Sequence, residues 1–349
     1  MLFRVLAKDQ LISLYDILAV NHIVGPVRKG TGRQAAPLYD FDFIYDFQEL
    51  RLDYTATTHS LKRFILPASE TLCTFTLQQE SWQKQVELNA YKPIVYFGLH
   101  ACDINACNRL DKVLTGNVFP DPYYAAKRRN MFIIGVGCTP QPFCFCRSMG
   151  ADTALHGFDM FLTDLGDAWF VEIHSARAFE AVNGLQCREP GKREHQRFLE
   201  VTRERLRRFT CHVDTTDLTK ILDLEFQADV WQQWGEKCLS CGTCASVCPT
   251  CYCYGIEEHV DPDLRHAAKI RHLYSCNLID FAEVAGGHNF RPQAHDRLKY
   301  RYYHKHRGFV EAFEESLCVG CGRCGQACLA GITVPEVIAS VRAGEERHV

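Results

Sequence analysis

Eight cysteines stand in two identically spaced sets. The first set is Cys238, Cys241, Cys244 and Cys248, and the second, 80 positions later, is Cys318, Cys321, Cys324 and Cys328. Each set reads C-x-x-C-x-x-C-x-x-x-C, the spacing of bacterial-type [4Fe–4S] ligand runs, in which the fourth cysteine binds the other cluster. We therefore expect cluster 1 on Cys238, Cys241, Cys244 and Cys328, and cluster 2 on Cys318, Cys321, Cys324 and Cys248.

Other uses of these thiols fit the spacing poorly. A zinc site usually pairs two C-x-x-C units across a spacer, and disulfide frameworks belong to short secreted chains. One departure from the pattern is that Cys328 is followed by Leu329, whereas Cys248 is followed by Pro249 as the motif prefers. Two adjacent clusters pass on single electrons, so the motifs predict electron relay.

A second constellation of thiols lies in the first half of the chain. Its members are Cys102, Cys138, Cys144 and Cys146. Cys102 and Cys138 each follow a predicted buried strand, and parallel strands would bring all four thiols to one carboxyl edge, where open α/β sheets bind ligands. The group predicts a third [4Fe–4S] cluster or a zinc ion, with Asp103 as an alternative oxygen ligand. Free buried thiols remain the other interpretation.

Two further features leave alternatives open. Cys251, Cys253 and Cys276 could surround the first cluster, hold something extra, or be inert buried thiols. The segment Arg291–Arg307 interleaves basic and aromatic residues, a pattern that can bind single-stranded nucleic acid. A helix whose cations lie beside anionic clusters is the favoured interpretation of that segment.

Composition limits the class of protein. The 349 residues, 47% hydrophobic and 23% charged, are typical of a globular chain with about two domains. The 19 cysteines, with no secretory leader in Met1–Val20, indicate a reducing cytoplasm in which thiolates bind metals. A net charge of −3 gives no reason to expect a nucleic-acid partner, and no apolar run is long enough to span a membrane.

The order of predicted elements indicates an α+β fold. Buried strands at Pro93–Leu99 and Met131–Gly137 flank a helical pattern, which implies a parallel pair. Phe158–Thr163 and Trp169–Ile173 form a predicted hairpin. We expect an α/β domain over residues 1–210 with the third metal site, and an α-helical dicluster ferredoxin domain over residues 217–349. Asp261 and Pro262 predict the start of a helix that continues through His272.

Several motifs together resemble one family. They are Phe97-Gly-Leu-His-Ala-Cys-Asp103, Cys138 with Cys144-Phe-Cys146, Gly157-Phe-Asp159, Cys248-Pro-Thr-Cys-Tyr-Cys253, Ala285-Gly-Gly-His-Asn-Phe-Arg-Pro292 and Cys318-Val-Gly-Cys-Gly-Arg-Cys324. The chain is similar to the family that contains the β subunit of cytoplasmic [NiFe] sulfhydrogenases and the electron-transfer subunit of anaerobic sulfite reductases. The resemblance implies two or three [4Fe–4S] clusters and an FAD- and NAD(P)H-binding partner. It also implies a catalytic partner, either [NiFe] hydrogenase subunits or a siroheme sulfite reductase.

The sequence lacks a P-loop, an H-E-x-x-H motif and a complete dinucleotide fingerprint. We therefore expect a non-catalytic electron-relay subunit of an oxidoreductase, with no catalytic residue of its own, most like the sulfhydrogenase β subunit. The alternatives are the sulfite reductase subunit, a zinc-stapled assembly scaffold, and a chain that itself reduces substrate at the Cys102/Cys138 site with Asp103 as a labile ligand.

Overall fold

A computed structural model describes residues 2–31, 36–78, 81–86, 88, 92–116 and 118–345. Its strands are β1 Leu2–Ala7, β2 His22–Thr31, β3 Pro37–Ile44, β4 Ser69–Gln78, β5 Ser81–Val86, β6 Ile94–Leu99, β7 Met131–Val136, β8 Met160–Asp164, β9 Ala168–Ile173, β10 Cys187–Arg188, β11 Tyr254–Val260, β12 His266–Leu273, β13 Glu283–Val284 and β14 His288–Asn289. Its helices are α1 Gln10–Leu18, α2 Lys62–Ile65, α3 Ala101–Leu114, α4 Pro122–Arg129, α5 Ala176–Asn183, α6 Lys192–Arg207, α7 Leu218–Leu224, α8 Val230–Lys237, α9 Thr243–Val247, α10 Ala294–Tyr303, α11 Phe309–Phe313, α12 Arg323–Gln326 and α13 Val334–Glu345. The chain is a mixed α/β protein.

Eight of the described strands form one sheet, in the order β10-β1-β9-β8-β7-β6-β2-β3. The neighbours β2, β6, β7 and β8 run parallel. Every residue of β7 is buried, as expected for a strand covered on both faces. The predicted parallel pair is confirmed as β6 and β7, joined through α3 and α4, and the predicted hairpin is confirmed as antiparallel β8 and β9.

A smaller sheet has the order β11-β12-β4-β5 and combines strands from distant parts of the chain. The prediction of a helix from Asp261 through His272 is wrong, because that segment contains β12. The backbone N–H of Asp261 donates to the His266 carbonyl at 2.9 Å and closes a hairpin with β11. The other edge of β12 pairs with β4, and the buried Arg271 forms ion pairs with Glu70 and Asp121. These tertiary contacts override the local helical preference.

The remaining C-terminal helices pack around a second apolar core. Residues from α7, α10 and α13 contribute to it, together with Trp231 of α8 and Phe145 from the loop after β7. Between α10 and α11, His304–Gly308 forms a π-helical turn, a rare conformation found often at functional sites. The helix α6 has no buried residue, as its charge-dense sequence predicts. Over the described part of the chain, no helix has the length and apolar character that crossing a bilayer requires.

Candidate metal centres

The two repeated cysteine motifs have the same backbone conformation. In the first loop Ser240 and Gly242 have positive φ angles of 51° and 75°, and in the second Gly320 and Gly322 have 66° and 73°. The short helices α9 and α12 begin directly after Gly242 and Gly322. Turns that mix left-handed and right-handed residues direct backbone N–H groups to one side, a geometry that binds anions and iron–sulfur groups. The sequence repeat is therefore also a structural repeat.

One cavity joins the end of the first motif to the second motif. The cysteines that line it are Cys248, Cys318, Cys321 and Cys324. Helices α9 and α12 pack against each other and bring Cys248, at the end of α9, to the second loop. Arg301 and Lys305 line the same cavity, and Phe145 lies beside them. These are the four thiols that the sequence analysis groups as cluster 2.

Two buried cations face these thiols. Arg301 is 5% exposed and Lys305, in the π-helical turn, is 4% exposed. The Lys305 ammonium donates to Thr250 Oγ1 at 2.9 Å, and the described carboxylates form no ion pair with either cation. Burial alone would lower the pKa of Lys305, but negative charge on Cys248 and Cys251 outweighs it and raises the pKa. A buried cation needs a compensating anion, and cysteine thiolates bound to a cluster provide one.

The first motif has its own surroundings. Cys238 ends α8, Cys241 is exposed, and Asn277 Nδ2 donates a hydrogen bond to Cys244 Sγ at 3.4 Å. Hydrogen bonds to ligand sulfurs tune the reduction potential of a cluster. Cys328, the predicted fourth ligand of this cluster, packs against the same apolar core as Cys238.

The four thiols of the second constellation also share a cavity. Cys102, Cys138, Cys144 and Cys146 line it at the carboxyl ends of β6 and β7. Burial raises the pKa of all four thiols, so each would hold its proton unless a metal replaced it. His100 lines the same cavity and is 3% exposed, and its Nε2 has no hydrogen-bond partner among the described residues. An orphaned ring nitrogen beside four thiols fits a site that holds a further group.

The spacing of the sulfurs distinguishes between kinds of metal. Among the described residues, no three cysteine sulfurs lie within 4.8 Å of one another. A tetrahedral zinc ion with Zn–S bonds of about 2.3 Å would hold its sulfurs about 3.8 Å apart. A cubane holds its cysteine sulfurs much farther apart, because each binds a different iron. The cysteine groups therefore fit iron–sulfur clusters better than single zinc ions.

Asp103 makes an ion pair with Arg323. The carboxylate is fully buried, and its two oxygens accept from Arg323 Nη1 at 2.9 Å and Nη2 at 2.8 Å. Arg323 also donates to the carbonyl and the hydroxyl of Thr57. Both oxygens of Asp103 are thus paired, and the alternative in which Asp103 is a labile metal ligand would require this ion pair to break.

The second motif and the second constellation are in direct contact. The Phe145 N–H donates to the Gly320 carbonyl at 2.9 Å, and a Cβ at Gly320 would lie 2.6 Å from backbone atoms of Cys146. Cys321 lines both cavities. Only glycine at position 320 allows the two loops to approach this closely.

Sequence reasoning missed two of these residues. Arg323 stands inside the second motif, between Cys321 and Cys324, and a basic residue within a cysteine run was an available signal. His100 immediately precedes α3, but nothing in the sequence indicated that its Nε2 would lack a partner.

Comparisons with known proteins agree with this geometry. The model of the family described as "4Fe-4S dicluster domain" matches residues 237–332, which contain both repeated motifs. The chain is 39% identical over 329 residues to sulfhydrogenase 2 subunit beta of Pyrococcus furiosus, and the match covers 93% of each chain. No solved structure matches the chain significantly.

Proposed function

Because the chain belongs to the family of sulfhydrogenase beta subunits, we propose that it is the iron–sulfur electron-transfer subunit of a multi-subunit oxidoreductase. The observation that carries the proposal is the cavity in which Cys248 of the first motif joins Cys318, Cys321 and Cys324 of the second. This is the exchange of fourth ligands that two-cluster ferredoxins use. In the reciprocal arrangement, Cys238, Cys241, Cys244 and Cys328 hold the other cluster.

The chain's own residues hold the clusters and set their potentials. When bound, a [4Fe–4S] cluster supplies reversible one-electron transfer. Each ligand cysteine donates a thiolate, and Asn277 donates to the sulfur of Cys244. Arg301 and Lys305 place buried positive charge beside the sulfurs, which favours the more negative reduced form and raises the potential.

We further propose that Cys102, Cys138, Cys144 and Cys146 hold a third [4Fe–4S] cluster. Their common cavity, their spacing and the orphaned His100 nitrogen support this. Because Cys321 lines both cavities, an electron at the third site would be next to the second motif. The chain would then act as a relay with no catalytic residue, between a flavin subunit that accepts NAD(P)H and a catalytic [NiFe] hydrogenase partner.

Cysteine substitutions test the crossed ligation. We expect Cys248→Ser to alter the same electron paramagnetic resonance (EPR) signal as Cys318→Ser in the anaerobically reconstituted chain. Cys328→Ser should alter the signal that Cys241→Ser alters. Cys187→Ser, at a thiol outside all the groups, is the matched control and should change neither signal. If Cys248→Ser instead affects the Cys241 cluster, the crossed assignment is wrong.

Metal content separates electron relay from the zinc scaffold. The reconstituted chain should contain roughly 8 to 12 iron atoms from two or three four-iron clusters, with matching acid-labile sulfide. Stoichiometric zinc with no visible absorption would reject the proposal. Turnover of sulfite or polysulfide by the isolated chain with a reduced viologen would show that it is itself catalytic.

A further inference from the structure

Three cysteines outside the groups above converge at the open end of a hairpin. Cys253 immediately precedes β11, and Cys276 follows β12 by three residues. The pairing of Tyr254 with Leu273 and the bond from the Tyr274 N–H to the Cys253 carbonyl, 2.8 Å long, hold the two segments together. The thiols of Cys253 and Cys276 hydrogen-bond to each other as a result.

Cys251 completes the group. Its side chain is buried, it interacts with Cys276, and its thiol hydrogen-bonds to Cys248 of the first motif. This group is therefore adjacent to the cavity of the second motif but adds three sulfurs that line neither of the two cavities described above.

A buried lysine from the first half of the chain faces this group. Lys62, on α2, is 5% exposed and interacts with Cys251, Cys248 and Cys253. Its ammonium donates to the Ala245 carbonyl at 2.7 Å, and the described carboxylates form no ion pair with it. A cation in such a place requires negative charge nearby, which neutral thiols would not provide.

Another buried thiol shows the contrast. Cys107 is 1% exposed, and burial raises its pKa. Its cationic neighbour Arg128 is already paired with Asp111, so no charge is left for the thiol to balance. Cys107 is what an inert core cysteine looks like in this protein, and the hairpin group differs from it in number, mutual contact and unbalanced cations.

We propose that Cys251, Cys253 and Cys276 bind a further iron–sulfur cluster, separate from the clusters on the repeated motifs and on the second constellation. The sulfur spacing argues against zinc, as it does for the other groups. Cys248 belongs to the second motif's cluster, so one iron corner of the further cluster has no cysteine ligand. Lys62 balances the negative charge of the three thiolates.

Single Cys→Ser substitutions at the three positions, in the full-length anaerobically reconstituted chain, test the site. Each variant should lose about four iron atoms and the matching sulfide per chain. The EPR signals that depend on Cys241 and Cys318 should remain, which also shows that the variant is folded. Cys107→Ser and Cys187→Ser, as buried and half-buried controls, should lose no iron.

Three results would overturn the inference: unchanged iron in all three variants, zinc in place of iron at the site, or a Cys253–Cys276 disulfide in the reconstituted chain. The proposed function has a separate failure. If iron is lost in the hairpin variants but not in Cys241→Ser or Cys318→Ser, the relay on the repeated motifs is wrong while the hairpin site stands.

Discussion

Removing the charge of Asp103 should destabilise the protein strongly. The pair is fully desolvated, since Asp103 is 0% and Arg323 4% exposed, and two hydrogen bonds of 2.9 and 2.8 Å join them. Asp103→Asn leaves the Arg323 guanidinium buried without a counterion. Breaking a buried pair in this way costs about 3–5 kcal/mol.

A double-mutant cycle isolates the pair. Arg323→Met alone should cost at least as much as Asp103→Asn, because the two Thr57 acceptors that Arg323 satisfies would also lose their donor, at about 1–3 kcal/mol each. The double variant should lose clearly less than the sum of the single losses, since neither charge is then left unpaired.

Anaerobic urea unfolding of the reconstituted chain measures these free energies. The exposed pair of Asp217 and Lys220 is the control, and Asp217→Asn should cause no measurable change. Additive single losses, or an Arg323→Met variant as stable as the parent, would refute the reasoning. If Asp103 were a metal ligand, Asp103→Asn would instead change iron content or EPR signals, and Arg323→Met would not.

Two more substitutions probe the cluster surroundings. Lys305→Met should lower the potential of the second motif's cluster by on the order of 60 mV, a tenfold change in a one-electron equilibrium, because a buried cation that stabilises the reduced form is lost; an EPR-monitored titration measures it, exposed Lys220→Met is the control, and an unchanged potential would contradict the role. Gly320→Ala should reduce both stability and iron content, because its Cβ would lie 2.6 Å from the neighbouring loop. Gly331→Ala has a similar φ of 69° but open space around its Cβ, so thermal unfolding should show only the backbone cost of about 1–2 kcal/mol, and equal losses in both variants would contradict the steric argument.

Local patterns in the sequence predicted the features that depend on neighbouring residues. The buried runs that became β6 and β7 and the turn between β8 and β9 were readable because strand burial and hairpin turns leave short signatures. The cysteine motifs were readable for the same reason, since metal-ligand spacing is local. The matching conformations of Ser240 and Gly320 follow from that repeat.

Features set by distant residues could not be predicted. Whether His266–Leu273 becomes a strand depends on β4, far away in the sequence, and on the buried charge of Arg271. The partner of Asp103 stands 220 positions away, so the sequence offered only a free carboxylate near Cys102 and suggested a metal ligand. Long-range pairing of this kind leaves no periodic signal in one sequence.

The second motif is the junction on which the relay depends. Its Cys321 lines both the cavity with Cys248 and the cavity of the second constellation, and its Arg323 forms the buried pair with Asp103 next to Cys102. A change that separates the two loops would therefore disturb the ligands of two proposed clusters and the path between them at the same time. The first motif lacks this contact with the α/β part, since its Cys241 is exposed. Its cluster is accordingly the one placed to exchange electrons with a partner protein, whereas the second and third transfer them within the chain.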